Sequence, residues 1–337
     1  MNTTTPDSKA FPLLTPDTVI NLAEEHLNCR CQAICRQLNS YINRVYELET
    51  EEGQGLVIKF YRPDRWSRET IEEADLFIRE LQEQEIPVVA PLTLTNGATL
   101  ADHEKTIFSI FPRMGGRFLD EFSDDQWLEI GRLLGRMHMT GATRQAAHRD
   151  TLHPMHTTAA QVKFLTSKNF MPPHLRERFQ STCNELLQLI SPMFEDMESI
   201  RLHGDCHFAN LIHRPDESFF LIDFDDMVNG PPVQDVWMLF PSYRRESLPE
   251  IELFLEGYET FRRFDRNSLR LIEPLRAMRY IHYAAWCASQ SHDTGFAGQN
   301  PEWGTELYWQ EEINDLVEQL QRIRQEPETT GNNPMYL

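Results

Sequence analysis

The stretch from Leu202 to Asp226, LHGDCHFANLIHRPDESFFLIDFDD, constrains this chain more than any other. Asp205 is followed five residues later by Asn210, and Asp223 comes thirteen residues after that. An apolar run, Phe219 to Ile222, leads directly into Asp223 and reads as a short strand that delivers a carboxylate at its end. A loop carboxylate can face an incoming hydroxyl and accept its proton. An amide oxygen and a second carboxylate are the hard oxygen donors that a small divalent cation takes. Asp and Asn are also common turn residues, and a decorated hairpin loop would use the same letters. The rest of the chain has to decide.

Size and composition narrow the classes. With 337 residues and 40% hydrophobic content, the chain is long enough for two lobes and a sizeable core. Its 32 basic and 52 acidic residues leave a net charge of −20. That balance argues against a general nucleic-acid surface and against docking on anionic membranes. No apolar run approaches the length of a bilayer span, and MNTTTPDSKAF lacks a signal-peptide pattern, so a cytoplasmic protein is expected. The six cysteines are expected to be free thiols. Cys29, Cys31 and Cys35 lack the second ligand pair of a structural zinc site. Cys206, inside the key stretch, is expected to be a packing residue.

Upstream lies a pattern of strands and helices that supplies a partner lobe. Pro16-Asp17-Thr18 opens a helix to about Asn28; residues before about 15 are polar and expected to be loosely ordered. Strands follow toward Leu38, over Val45–Leu48 and over Leu56–Tyr61. In the third, Leu56, Ile58 and Phe60 share one face, and Lys59 sits among apolar neighbours on the other. A lysine there is either an exposed strand residue or one aimed into a cleft at phosphate groups. The next helix starts at the Ser67 cap and runs to just before Pro87. Glu73 is the expected ion-pair partner of Lys59, with Glu72 as fallback. A second β pair is expected over Val88–Leu100 and Thr106–Phe111, turning at Asn96-Gly97. The segment after Phe111 reads as the linker between lobes, with the backbone of Ser109 to Phe111 expected to hydrogen-bond an adenine.

From residue 120 the pattern is mainly helical. Ser123 and Gln126 match a capping box before an apolar helix that ends at His138. Residues 141–158 read as a polar, His-rich loop, and Pro173–Pro192 as a long helix. Asp235, in the first turn of a helix after Gly230-Pro231, is positioned to accept from the backbone of the 202–210 loop, and His203 lies within that loop. Helices are expected over 250–263, 268–290 and 303–325, with a polar loop over 292–301.

Taken together, the Asp–Asn spacing, the strand ending in Asp and the strand lysine match the phosphotransferases of the protein-kinase-like fold. The glycine-rich turn of eukaryotic protein kinases is absent: Asn39-Ser40-Tyr41-Ile42-Asn43-Arg44 stands there instead. Its backbone N–H groups, the Ser40 hydroxyl and the Asn43 amide are expected to cradle phosphate. No Rossmann or Walker fingerprint appears. More specifically, the chain resembles the stress response kinase A family of the aminoglycoside-phosphotransferase and choline-kinase group. LNSYINRVYEL, VIKFYRPDRW, GRLLGRMH, IRLHGDCHFANLI, FLIDFDDMVNGPPVQDVWML and LIEPLRAMRYIHYAAW carry that resemblance.

The resemblance implies an α+β, bilobal protein-kinase-like fold. Its nucleotide-binding lobe spans residues 1–112, its helical catalytic lobe 113–327, and a flexible tail 328–337. It implies ATP-dependent phosphorylation of protein Ser/Thr hydroxyls, autophosphorylation included, by a cytoplasmic monomer with a protein substrate. In that reading Asp205 is the proton acceptor, Asn210 and Asp223 are Mg²⁺ ligands, and Ser40 contacts ATP. HGD replaces the HRD of eukaryotic protein kinases, so no arginine awaits a phosphorylated activation loop. A small-molecule kinase acting on an amino alcohol, aminoglycoside or sugar is the alternative, since fold and catalytic loop would look the same.

Overall fold

Alternation of apolar and polar residues builds one sheet in the first third of the chain, and helical periodicity takes over after it. A computed structural model describes residues 11–40, 42–215, 217–291 and 294–325. Of the stretch to about residue 15 expected to be loosely ordered, residues 1–10 lie outside the described residues, as does the tail 328–337, and Thr15 caps α1. The elements run α1 (Pro16–Leu27), β1 (Cys31–Leu38), β2 (Arg44–Thr50), β3 (Gly55–Phe60), α2 (Arg68–Glu83), β4 (Ala101–His103) and β5 (Thr106–Pro112). They continue with α3 (Asp124–Gly141), α4 (Ala159–Ser167), α5 (Pro173–Phe194), β6 (Ile200–Leu202), β7 (Leu211–Arg214), β8 (Ser218–Leu221), β9 (Val228–Gly230) and α6 (Gln234–Trp237). The last are α7 (Leu248–Tyr258), α8 (Ile272–Gln290), α9 (Thr294–Gln299) and α10 (Glu306–Gln325).

The five-stranded antiparallel sheet has the order β1-β2-β3-β5-β4. Leu56, Ile58 and Phe60 of β3 are buried on one face with Leu48, Phe108 and Ile110. α1 closes that face with Val19, Leu22 and Ala23; the Thr15 hydroxyl caps it and Asn28, in the left-handed region, ends it. Lys59 is left on the opposite face, paired across β2 and β5 with Val45 and Ser109. α2 is capped by Ser67 and turns its apolar stripe toward the helical region, where Phe77 meets Phe224 edge to face.

Three segments depart from expectation. On the side of β5 away from β3 the paired strand is the short Ala101–His103, and residues 88–100 do not form the expected strand. Pro91 has no N–H to give a ladder, and Val88 and Val89 are drawn instead to Leu221 of β8. Residues 154–158 form a helical turn that continues into α4, where a loop was expected. Similarly, 294–299 form α9 within the expected loop 292–301; residues 292 and 293 lie outside the described residues.

In the helical region α3 and α7 cross backbone to backbone. A Cβ at Gly131 would sit 2.1 Å from the Phe254 carbonyl oxygen, and one at Gly257 2.1 Å from that of Leu128. The capping box of Ser123 and Gln126 starts α3 as the sequence indicates. Two antiparallel strand pairs, β6 with β9 and β7 with β8, flank and hold the 203–210 and 222–227 segments. Among the described residues no helix is long and apolar enough to cross a membrane.

Candidate active site

The loop after β6 is shaped by one glycine and one carboxylate. Gly204 has φ +87°, and a Cβ there would lie 2.0 Å from the Asp226 carbonyl oxygen, so no other residue fits. Asp235, fully buried, accepts from the His203 N–H at 2.7 Å and the Gly204 N–H at 2.8 Å. His138 stands 3.2 Å from Asp235 and 2.9 Å from the Tyr258 hydroxyl, which ties the loop to the α3–α7 crossing. The His203 ring donates through Nε2 to the Ile222 carbonyl at 2.8 Å and accepts through Nδ1 from the Asp205 N–H at 3.3 Å. His203 therefore ties the 205 loop to the strand end that carries Asp223.

The loop delivers Asp205 between two basic side chains: Arg279 Nη2 lies 2.9 Å from Oδ1 as an ion pair without hydrogen-bond geometry, and His207 Nε2 3.3 Å from Oδ2. Burial alone would raise the Asp205 pKa; the His207 contact and the Arg279 charge overcome it and hold the carboxyl well below the usual carboxylate range. The Asn210 amide nitrogen donates to the Asp205 carbonyl at 2.8 Å. Among the described residues its oxygen is committed to no other group.

Asp223 adopts left-handed φ 62°, ψ 67°, a conformation rare for a non-glycine residue, and its carboxylate is about half exposed at 49%. Lys59 Nζ lies 2.7 Å from Asp223 and 2.6 Å from Asp225. Burial would lower the Lys59 pKa and raise that of Asp223; their mutual attraction reverses both shifts. For Asp225, burial together with the neighbouring Asp223 charge outweighs Lys59, and its pKa rises.

Several expected roles are reassigned. Glu73 does not pair with Lys59: it accepts from the Ala147 and His148 N–H groups, each at 2.6 Å, because its side of α2 faces the 141–149 segment. Glu72 pairs with Arg68 at 3.7 Å. The α2 carboxyl that feels the Lys59 charge is Asp75, buried and hydrogen-bonded by the Thr99 hydroxyl at 2.6 Å. Burial pushes its pKa up to about 6. Asn43 is not free to cradle phosphate: its amide nitrogen donates to Asp225 at 2.7 Å and its oxygen accepts from the Arg62 N–H at 3.1 Å. It braces the β1–β2 turn against the 223–226 segment instead. Ser40 lies half-buried in that turn, beside Tyr41, which is outside the described residues.

The backbone of Ser109 and Phe111 is likewise unavailable to an adenine. The Tyr61 N–H donates to the Ile107 carbonyl and the Arg113 N–H to the Gly55 carbonyl, so the alternation of an antiparallel ladder commits residues 109 and 111 to Lys59 and Val57. The outward-facing backbone is that of Ile110, whose carbonyl accepts from Leu92 at 2.7 Å, and then of Pro112.

Sequence reasoning missed Asp225, Asp75 and Arg279. A signal for Asp225 was present in the Asp-Phe-Asp-Asp run; none links Arg279 on α8 to a loop more than seventy residues away. Cys206 is fully buried, and burial with the charges of Asp235 and Asp205 raises its thiol pKa well above the ordinary value. That disfavours the reactive thiolate.

The donor set fits a hard divalent cation. Asn210 offers an amide oxygen and Asp223 a half-exposed carboxylate. Among the described residues no group of three or more His, Cys, Asp or Glu is arranged to hold a metal. A cation held here would draw its other ligands from phosphate oxygens and water, as such sites do.

Comparison with known proteins agrees with this architecture. The model of the phosphotransferase enzyme family matches residues 34–272. Stress response kinase A of Escherichia coli (strain K12) is 37% identical over 327 residues, covering 97% of this chain and 98% of the relative. The serine/threonine protein kinase RdoA of Salmonella typhimurium (strain LT2) is 35% identical over the same shares of the two chains. Among solved structures, an amicoumacin kinase in complex with AMP-PNP, Ca²⁺ and Ami superposes with a TM-score of 0.71 at 18% identity, over 89% of this chain and 93% of that one. A microcompartment-associated aminopropanol kinase gives 0.67 at 18% identity, over 91% and 96%. The fold is thus protein-kinase-like, α+β, with a small antiparallel sheet and a helical part. The chain is a kinase of the phosphotransferase enzyme family and belongs with the stress response kinase A proteins.

Proposed function

We propose that this kinase transfers the γ-phosphate of ATP to serine and threonine hydroxyls of proteins, its own included. The observation that carries the protein acceptor is the match along nearly the whole chain to a relative named a serine/threonine protein kinase, at 35% identity. The kinases of small molecules share the fold at only 18%. Asp205 is placed to orient and deprotonate the acceptor hydroxyl, and Asp235 and His203 fix its loop. Lys59 is poised at the cleft to meet phosphate charge, positioned by Asp223 and Asp225. Asn210 and Asp223 would hold Mg²⁺, which supplies charge neutralisation on the transferred phosphoryl group. We place the kinase in the cytoplasm, acting as a monomer in stress protection.

A second reading has one observation in its favour. A cavity of about 840 Å³ beside Gly204 and Arg279 has room for a small alcohol. Incubation with labelled ATP and a casein-type protein, in parallel with a panel of amino alcohols, aminoglycosides and sugars, separates the two. Label on protein Ser/Thr is the expected result; label confined to a small alcohol overturns the protein reading.

A further inference from the structure

The cavity beside the catalytic loop has an unusual lining for a chain of net charge −20. Its wall carries Arg279, His282, His156 and His148. Of its acids, Asp226 is paired with Arg65 at 2.7 Å, which leaves Asp150 as the exposed one. Arg149 also lines the cavity, but its guanidinium is committed to the Thr70, Asp225 and Met227 carbonyls. Arg279 is different. Its side chain is about one-third exposed at 35%, and it forms an ion pair with Asp205.

That contact has a consequence for the chemistry. Each Asp205 oxygen has a basic neighbour, Arg279 at 2.9 Å from Oδ1 and His207 at 3.3 Å from Oδ2, while Oδ1 itself is buried without a hydrogen bond. A carboxylate oxygen accepts more than one hydrogen bond, so what an acceptor hydroxyl needs at Asp205 is room beside Oδ1, and the Arg279 side chain stands there. Arg279 stands on the cavity side and has a long side chain that can swing. Breaking its pair with a largely buried carboxylate is costly unless the acceptor brings an anion of its own to replace Asp205.

We propose that Arg279 is a specificity-determining positioning residue: it caps Asp205 in the free kinase and moves to a carboxylate flanking the acceptor hydroxyl, so that Ser or Thr beside Asp or Glu is preferred. The proposal rests on the reading of Asp205 as the residue that faces the acceptor. Once uncapped, Asp205 takes the hydroxyl proton; the acceptor oxygen bonds to the γ-phosphorus as the bond to the leaving oxygen breaks, and ADP departs.

The test uses three peptides that differ only in the residues flanking one serine (Asp, Ala or Lys), with wild type, Arg279→Gln, Arg279→Lys and Arg279→Glu. Wild type is expected to show kcat/KM at least about 10-fold higher for the Asp-flanked peptide than for the Ala-flanked one, carried mainly by KM. Arg279→Gln should erase that preference, Arg279→Lys should keep part of it, and Arg279→Glu should turn it toward the Lys-flanked peptide. KM for ATP should stay the same in all four. The inverted preference of Arg279→Glu is a result that mere misfolding cannot produce. Equal rates for the three peptides in wild type, or an acidic preference that survives in Arg279→Gln, overturns the proposal. If small alcohols accept phosphate and no peptide does, the protein reading fails, and the role of Arg279 is then read on glycerate against ethanolamine. A glycerate preference lost in Arg279→Gln supports it; an ethanolamine preference, or transfer to neither, overturns it.

Discussion

Lys59→Met isolates the charge cluster at the centre of the site. Methionine keeps most of the lysine stem but leaves Asp223 and Asp225 facing each other with no ammonium between them; the two bonds lost are 2.7 and 2.6 Å long. Removing one partner of a buried pair costs about 3–5 kcal/mol. Two features lower that figure here. Asp223 is half exposed and can turn to water, and Asp225 retains the Asn43 amide at 2.7 Å. An expected loss of about 2–3 kcal/mol follows. Its pH dependence has a definite sign. The folded-state Lys59 pKa is raised, so its stabilisation is complete below the unfolded lysine value of about 10.4 and is lost as pH rises through the folded value above that. The gap between wild type and variant should therefore be flat from about pH 6 to 9 and close only above about pH 10. Toward acid it should narrow, because the orphaned Asp225 takes up a proton. Adding Asp225→Asn should cost about 1–2 kcal/mol less in the Lys59→Met background than in wild type, since the two changes remove one interaction. Urea unfolding followed by tryptophan fluorescence, for which the chain carries six tryptophans, reads all of this. A variant within about 0.5 kcal/mol of wild type, or a double mutant that is strictly additive, would refute the reasoning.

Asp75→Asn tests the neighbouring carboxyl. Its folded pKa of about 6 lies above its ordinary value, so wild-type stability falls as pH rises from about 4 to 6 and stays reduced above that. The variant should be more stable than wild type by about 1–3 kcal/mol at pH 8 and equal to it below pH 4; lower stability at pH 8 would contradict this. Gly204→Ala places a Cβ 2.0 Å from the Asp226 oxygen at φ +87°, so the catalytic loop must shift. Phosphoryl transfer should fall by about 100-fold or more while ADP affinity, measured by calorimetry, changes by less than about 3-fold. Transfer above half the wild-type rate would be inconsistent with the loop geometry.

Patterns local in sequence were legible, and those that depend on how elements meet were not. The caps at Ser67 and Ser123, the β3 alternation that isolates Lys59, and the Asp205–Asn210–Asp223 spacing each lie within one element or one loop. Helix periodicity identifies the apolar stripe of α2 without fixing which flanking carboxylate faces the cleft, so it does not separate Glu73 from Asp75, which lies one position after Ala74 on the buried side. Which way the Ser109 and Phe111 backbone faces depends on ladder parity, set by the pairing of Tyr61 with Ile107, and that is invisible in a strand's own letters. Arg279 reaches Asp205 through the packing of α8 against the loop, and no periodicity encodes that meeting.

The account turns on Asp205 as the group that activates the acceptor rather than one that binds nucleotide. Asp205→Ala leaves Lys59, Asn210 and Asp223 in place, and its two readouts are ATP affinity by calorimetry and γ-phosphate transfer by mass spectrometry of the acceptor. The prediction is ATP affinity within about 3-fold of wild type and transfer reduced by at least about 1,000-fold. Full turnover in the variant, or loss of ATP binding in parallel with transfer, would contradict it.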